Sequence, residues 1–578
     1  MASENTVLLM TADSELRPSC RVWGTGQWDP PDEREALDWL TLAKLIGWGV
    51  TVGGPETVGA CAGASSDFRH IVIAGDPDTL PEQHIAWVAA RLTAEPVLVV
   101  ARAAAPTTAL ARLAGTARAA ELITGRSLRW SGSGPVREWR CGQDLDGWAV
   151  NAGEGVAVWA TLDGAPVVLA RQIGRGVVVT LGFHPSRARD RDGAVTALLK
   201  HLLVWGAVAP VAWLDLEGTF VLRMDDAGGA QNVHLRSWSY PKLGEAEWIA
   251  LATTVKQRNA RMSIAYSAGW VDDGDPIRGS LEVAGRLPPR IAGLVHPSPL
   301  VTYRDRSGHA PGRVHDYQAE FRGMQALRAA GAGEVELHGY THLHPDVRAW
   351  ATSSDRYDAI AWYRELGPAA EAKLAALPLE AHPLTRGIDE IRHFFGVSPT
   401  TLICPGDEWT PKALVRALDL GISLVSTYYL GLRHDDRFCW TTYVCSPYLD
   451  QPGAGWFTAG VPVVGYFHDR DPSLEGIGWV GRWLDRWREA GARKLMDFRE
   501  LAAAVGRRLR LDDGSLGTHL TVTGREAPAL VRPLEVLLRV SGKRPPSRLA
   551  LHLDEHELSL EVCPLDGELG RVTIPVRP

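Results

Sequence analysis

Between residues 213 and 505, short apolar runs keep ending in residues that can carry charge or ligate a metal. "GTFVLRMDD" stops at Asp225 and Asp226, "EVELHGYTH" at His338 and His342, "TTLICPGDEW" at Asp407 and Glu408, and "PVVGYFHD" at His468. Amphipathic patterns such as "EAEWIALATTVKQRN", "DYQAEFRGMQALRAAG" and "IGWVGRWLDRWREAG" lie between them. Strands alternating with helices predict a parallel sheet, because a parallel neighbour is reached only through a crossover that covers a face. A barrel of such strands gathers its functional groups at the carboxyl-terminal rim, where these runs place theirs. "RMSIAYSAG", "IAGLVHPS" and "ISLVSTYY" read as further strands, and Pro411 suits the first turn of a helix.

The flanks differ from this centre. Residues 1–212 also alternate, with strands at "TVLLM", "HIVIAG", "PVLVVA" and "GRGVVVTLG" and helices at "DEREALDWLTLAKLIGW" and "EQHIAWVAARLTA". Residues 509–578 instead show short alternating runs, "THLTVTG", "LEVLLRVSG", "RLALHLDEHELSLEV" and "GRVTIPV", the pattern of a small antiparallel β module. A chain of 578 residues exceeds what one core can organise, so three domains are expected.

Composition narrows the function. The 22% charged and 45% hydrophobic fractions are those of a globular protein, and a net charge of -7 argues against a nucleic-acid partner. The seven cysteines form no CxxC pair, which removes zinc knuckles and a disulfide framework. The start "MASENTVLLMTADSEL" lacks a basic region and a long apolar run, and no stretch approaches the roughly 20 apolar residues of a membrane span. A cytoplasmic location is the resulting expectation. The 22 tryptophans are many, and exposed ones would suit stacking on sugar rings.

The chemistry concentrates in two motifs. "ELHGYTHLHPD" places His338, His342 and His344 within a few residues, and its glycine and β-branched neighbours disfavour a helix. A strand end with a tight turn would bring two imidazoles to one ion. Zinc-type ions accept imidazole and carboxylate ligands and keep a position for water in catalytic sites. One acid of the Asp225–Asp226 pair could complete that set. The other, pointing to the opposite face by strand alternation, could serve as a base.

"RMDDAG", "HGYTH", "ICPGDEW" and "GYFHD" occur in the order seen in polysaccharide deacetylases, and residues 213–508 resemble the NodB-like domain of carbohydrate esterase family 4. The resemblance implies a (β/α) barrel with Asp225 as general base and Asp226, His338 and His342 as ligands of a divalent metal. Zinc is the first expectation, with cobalt, nickel or manganese as alternatives. It further implies His468 as the acid that protonates the leaving amine, and an N-acylated carbohydrate or other small amide as substrate. Two departures stand out: Ala227 follows the acids where the family has glycine, and Ile403 and Cys404 stand where it has an arginine before proline. Arg223 is the candidate to replace that arginine. His234, Asp407, Glu408 and Trp409 are candidate substrate contacts, Trp409 through stacking. The long interval before His338 implies an insertion around "DPIRGSLEVAGRLPPR" or "TYRDRSGHAPGRVHD".

The first domain is similar to the flavodoxin-like, glutamine-amidotransferase-like α/β fold, on "IVIAGDPDTL" and "GRGVVVTLGFHPS". In that family a nucleophilic cysteine follows a strand, whereas "VLVVARAAAPT" has none, so docking, sugar binding or oligomer formation is the expected role. Two other functions fit the centre. A glycoside hydrolase would pair Asp225 with Asp407 or Glu408. A carbohydrate-binding protein on a retired enzyme fold would need neither metal nor base.

Overall fold

The computed structural model describes residues 5–10, 31–53, 68–185, 193–426, 432–434, 437–439, 444–445, 457, 460, 462–515, 517–524, 527–553 and 556–576. Its first part is a nine-stranded mixed sheet in the order β2-β1-β3-β4-β9-β8-β7-β5-β6. The parallel half contains β1 (Asn5–Met10), β2 (Gly49–Gly53), β3 (His70–Ile73), β4 (Leu98–Arg102) and β9 (Gly176–Leu181). That is the 2-1-3-4-5 order of flavodoxin-like sheets. The antiparallel half, β5 (Thr116–Trp130), β6 (Arg137–Ala152), β7 (Val156–Leu162) and β8 (Ala165–Ile173), was not anticipated. These strands carry polar residues on their exposed face, which weakens their apolar signal.

β10 (Val211–Leu214) spans the expected boundary at residues 212 and 213. It pairs antiparallel with β28 (Leu534–Arg539), so the strand at the 212/213 junction belongs to the C-terminal module. That module consists of two four-stranded sheets: β10-β28-β32-β31, with β32 (Leu569–Ile574) and β31 (Cys563–Pro564), and β26-β27-β29-β30, with β26 (Arg508–Gly514) and β30 (His556–Glu561). One pair, β27 (Gly517–Thr523) with β29 (Arg548–Leu553), runs parallel, so the module is mixed rather than antiparallel. The module also contacts the first domain: Leu509 N donates to Gly47 O at 2.6 Å, and Arg69 pairs with Asp512. Its core is continuous with that of the central sheet, from Phe220 to Ile574.

The central sheet is all-parallel. Its path runs β20 (Leu424–Ser426), β19 (Thr401–Ile403), β18 (Gly333–Leu337), β12 (Met262–Tyr266), β11 (Thr219–Ala227), β24 (Val463–His468) and β23 (Val444–Cys445), and β25 (Lys494–Met496) joins the start of β11. Every residue of β11 is buried, as a central strand covered on both faces requires. The sheet is curled. Arg223 on β11 donates to Ser426 Oγ on β20 at 3.2 Å, although three strands lie between them. In a flat sheet that separation would be about 19 Å at the usual strand spacing. Among the described residues β20 and β23 do not pair, so the expected barrel is an open, curled half-barrel.

"IAGLVHPS" is not a strand of this sheet. It contributes β15 (Val295–Pro297), which pairs antiparallel with β13 (Gly269–Val271) in an insertion. There, β14 (Gly279–Val283), β16 (Val301–Asp305) and β17 (Val314–Asp316) form a small three-stranded sheet at the place the long interval suggested. Among the described residues no helix is long and apolar enough to cross a membrane. Because β28 is the strand partner of β10, a chain ending at residue 507 is expected to aggregate and elute in the void volume on size-exclusion chromatography, whereas a separable appendage would leave the elution of the full-length protein's folded species essentially unchanged.

Candidate metal centre

β11 ends in a local irregularity that sets the site. Its register with β12 slips between Met224 and Ala227, and Asp226 takes φ 75°, a left-handed conformation that Asp tolerates better than most side chains. Strand alternation alone would send the two carboxylates to opposite faces. The bulge interrupts that alternation at the carboxyl end of β11, and the charges of both acids act on His338 and His468.

Asp226 Oδ1 lies 3.4 Å from His338 Nε2 and 3.5 Å from His342 Nε2. One ligand atom from each of the three residues falls within 4.8 Å of the others, and all three are buried. Bonds of about 2.0–2.1 Å at tetrahedral angles separate neighbouring ligand atoms by about 3.3 Å, so the spacing and the N,N,O donor set fit a zinc-type ion. His338 Nδ1 donates to Ile403 O at 2.9 Å, which leaves Nε2 facing Asp226. Trp238 Nε1 holds the other Asp226 oxygen at 2.7 Å.

Charges in the protein alone are already set for exchange of a proton for a cation. Burial would raise the Asp226 pKa, but the His338 hydrogen bond and the charges of His468, His342 and His338 hold it below the usual carboxylate range. Burial lowers His342 to about 4, assisted by the charge of His338. His338 moves upward, because the Asp226 hydrogen bond and both carboxylate charges outweigh its burial. A cation bound to this set would displace the His338 proton.

Asp225 is gripped by Arg223 from the same strand. Nε donates to Oδ1 at 2.7 Å and Nη2 to Oδ2, while Nη2 also reaches Asp407 Oδ1 at 3.3 Å. Residues two apart share a strand face, so Arg223 occupies the place for which the sequence offered no arginine after β19. Asp225 is the register partner of His468 on β24. His468 N donates to Asp471 Oδ2 at 2.9 Å, and the imidazole stands edge-on to Trp238 with ring centroids 4.9 Å apart. Burial alone would lower its pKa, but Asp471, Asp226 and Asp225 raise it to about 9.

The remaining candidates divide. Asp407 lies against Arg223, and Glu408 pairs with Arg364 at 3.5 Å. Trp409 is corrected: it is 1% exposed within the main core and offers no face to a sugar. His234 is corrected too. It is fully buried, with Nε2 against Val271 O at 2.8 Å and Nδ1 accepting from Arg278, so it ties the insertion to the sheet end. Sequence reading missed Trp238, Ser426, Asp471 and Lys242. Lys242 is buried against Asp469 at 2.6 Å, Glu320 at 3.0 Å and the backbone oxygen of Asp226 at 3.3 Å. Ser426, Trp238 and Lys242 reach the site from other segments, and Asp471 follows three residues after His468, just past the strand end.

No protein-family model matches the chain, and no curated protein matches it. Among solved structures, the carbohydrate deacetylase Agd3 shares 10% identity over 99% of this chain and 98% of its own, with a TM-score of 0.39. A candidate polysaccharide deacetylase from Mycobacterium smegmatis shares 13% identity over 51% of this chain and 92% of its own, with a TM-score of 0.30. The exo-β-1,4-mannosidase Op5Man5 from Opitutaceae bacterium strain TAV5 shares 13% over 34% of each chain, with a TM-score of 0.22. This chain therefore spans about a third of that mannosidase. Likeness at these TM-scores decides neither activity nor substrate, and the side chains themselves must carry the reading.

Two outcomes test the site's electrostatics. Arg223→Met leaves Asp225 buried without its counter-charge and is expected to destabilise the protein by about 3–5 kcal/mol in urea unfolding. Arg223→Lys recovers only part, because an ammonium cannot make the forked contact. For metal-free protein, the His468 value in the fold lies above the ordinary 6.5. Its stabilisation is therefore full below about pH 6.5 and lost as pH rises through about 9. Thermal melts of wild type and His468→Gln should differ most near pH 6 and converge above pH 9.

Proposed function

We propose that the protein is a divalent-metal-dependent hydrolase that removes an acyl group from an amide nitrogen, with N-acylated amino sugars or glycoconjugates as the substrate class. The observation that carries this reading is the buried Asp226, His338 and His342 set, with carboxylate-to-imidazole distances of 3.4 and 3.5 Å and Asp225 beside it. Asp226 and the Nε2 atoms of both histidines would hold the ion. When bound, a zinc-type ion supplies Lewis acidity, bringing water near neutrality in pKa and stabilising charge on an acyl oxygen.

The protein's own groups do the rest. Asp225, oriented by the Arg223 fork, accepts the proton of the attacking water. His468, with a pKa raised to about 9, is protonated at neutral pH and donates to the departing amine. Trp238 excludes solvent between Asp226 and His468 while fixing the carboxylate. Zinc is the proposed ion, and cobalt, nickel or manganese would satisfy the same donors.

A glycoside hydrolase pairing Asp225 with Asp407 is less well supported. Both carboxylates are hydrogen-bonded to the same Arg223 Nη2, so a guanidinium holds them together and neither is left free for acid or nucleophile duty.

Four variants and a chelator separate the roles. Asp226→Ala and His342→Ala should lose both bound metal, measured by elemental analysis, and turnover of N-acetylated amino sugars. Asp225→Ala should keep the metal and lose activity by about 10²–10⁴-fold, the scale of general acid–base catalysis. His468→Gln should depress amide cleavage more than cleavage of an activated ester, whose leaving group needs no proton. Full activity in a strong chelator would sink the proposal.

A further inference from the structure

The two imidazoles belong to one short loop, and a short loop does not bring them together by itself. Here their ring centroids are 4.8 Å apart. The doubling-back uses two left-handed residues, Gly339 at φ 67° and His342 at φ 62°. For His342, which carries a full side chain, that conformation is uncommon and must be imposed by its surroundings.

One carboxylate imposes it. Glu365 follows the short helix Ile360–Tyr363 and is 1% exposed. Its Oε2 accepts from Tyr340 N at 2.8 Å, and its Oε1 accepts from Thr341 N and Thr341 Oγ1, both at 2.9 Å. Thr341 Oγ1 in turn accepts from Leu343 N at 3.2 Å, so the loop is held from its middle to its exit. The approach is so close that a Cβ on Gly339 would lie 2.0 Å from Glu365 Oε2. Neither Glu365 nor Thr341 contacts the ligand atoms.

We infer that Glu365, acting through Thr341, is a positioning residue that holds His338 and His342 in ligating geometry. The inference rests on the metal-dependent reading of this site. A buried carboxyl group that accepts from three donors fixes the backbone between the two histidines, so the ion meets preformed ligands. Without the clamp, His342 is free to relax to an ordinary backbone conformation that turns its imidazole ring away from Asp226.

The test uses the full-length protein stripped of metal. Zn²⁺ affinity is measured by chelator competition, and the visible spectrum is recorded at saturating Co²⁺, for wild type, Glu365→Gln, Thr341→Val and Thr341→Ser. Glu365→Gln should weaken Zn²⁺ binding by about 10–100-fold, the usual effect of losing a ligand's supporting partner, and should reduce the tetrahedral Co²⁺ bands. Thr341→Val should weaken binding in the same direction, and Thr341→Ser, which keeps the hydroxyl, should restore it. If Glu365→Gln does not fold, the Val and Ser pair decides. Unchanged affinity and spectrum in folded Glu365→Gln, or Val indistinguishable from Ser, overturns the inference while leaving the proposed function intact. Failure of the wild type to bind either ion overturns both.

Discussion

A guanidinium without solvent needs partners in its own plane, and Arg223 finds them only because the central sheet curls. It sits on the middle strand, 1% exposed, and binds Asp225 on its own strand, Ser426 at the end of β20 and Asp407 after β19. Buried charges of this kind are costly unless every partner is in place. The curl brings strands that are distant in the sheet within side-chain reach, and the arginine in turn ties the end of β11 to the far side of the half-barrel. The orientation of Asp225, the turn at Asp226 and the approach of His338 all follow from how β11 terminates.

Around that anchor the site is a balance of buried charges rather than a pocket of apolar walls. Lys242 answers Asp469 and Glu320 beneath Asp226, and Tyr240 adds a hydrogen bond to Asp469. His468 and Asp471 form a second balanced pair beside Trp238. Some partners are local, as in Arg223 with Asp225 and His468 with Asp471, and others such as Lys242 and Trp238 come from distant segments, so the site does not belong to any one loop. Such support suits an ion, whose ligands must be placed before it arrives. The same logic explains the insertion: His234, Arg278 and Asp273 form a closed polar core that fastens the small three-stranded sheet to the carboxyl end of the barrel strands.

The strand-and-helix rhythm was legible because its periods are local. β11, β12, β18, β19, β20 and β24 stand where apolar runs end in polar residues, and Thr410 and Pro411 open the helix Pro411–Asp419 as their types suggest. "IAGLVHPS" misled because a short apolar run looks alike in a parallel sheet and in an antiparallel insertion. Trp409 misled because a residue type suited to stacking is just as suited to filling a core. The pairing at the 212/213 junction was not legible because β10 is four residues long and its partner lies more than three hundred positions away.

Residue order alone therefore determined which side chains could meet an ion: the adjacent acids, the histidines four apart and the late histidine sit at strand ends, and parallel strands put their ends on one rim. Tertiary structure alone decided what each would do there. A register slip shaped the strand end that carries both acids, an arginine on the same strand took up Asp225, and Glu365 and Trp238 arrived from elsewhere to hold the histidine loop and Asp226. Periodicity is written in neighbouring residues, whereas the partners of a buried charge are chosen by packing across the whole chain.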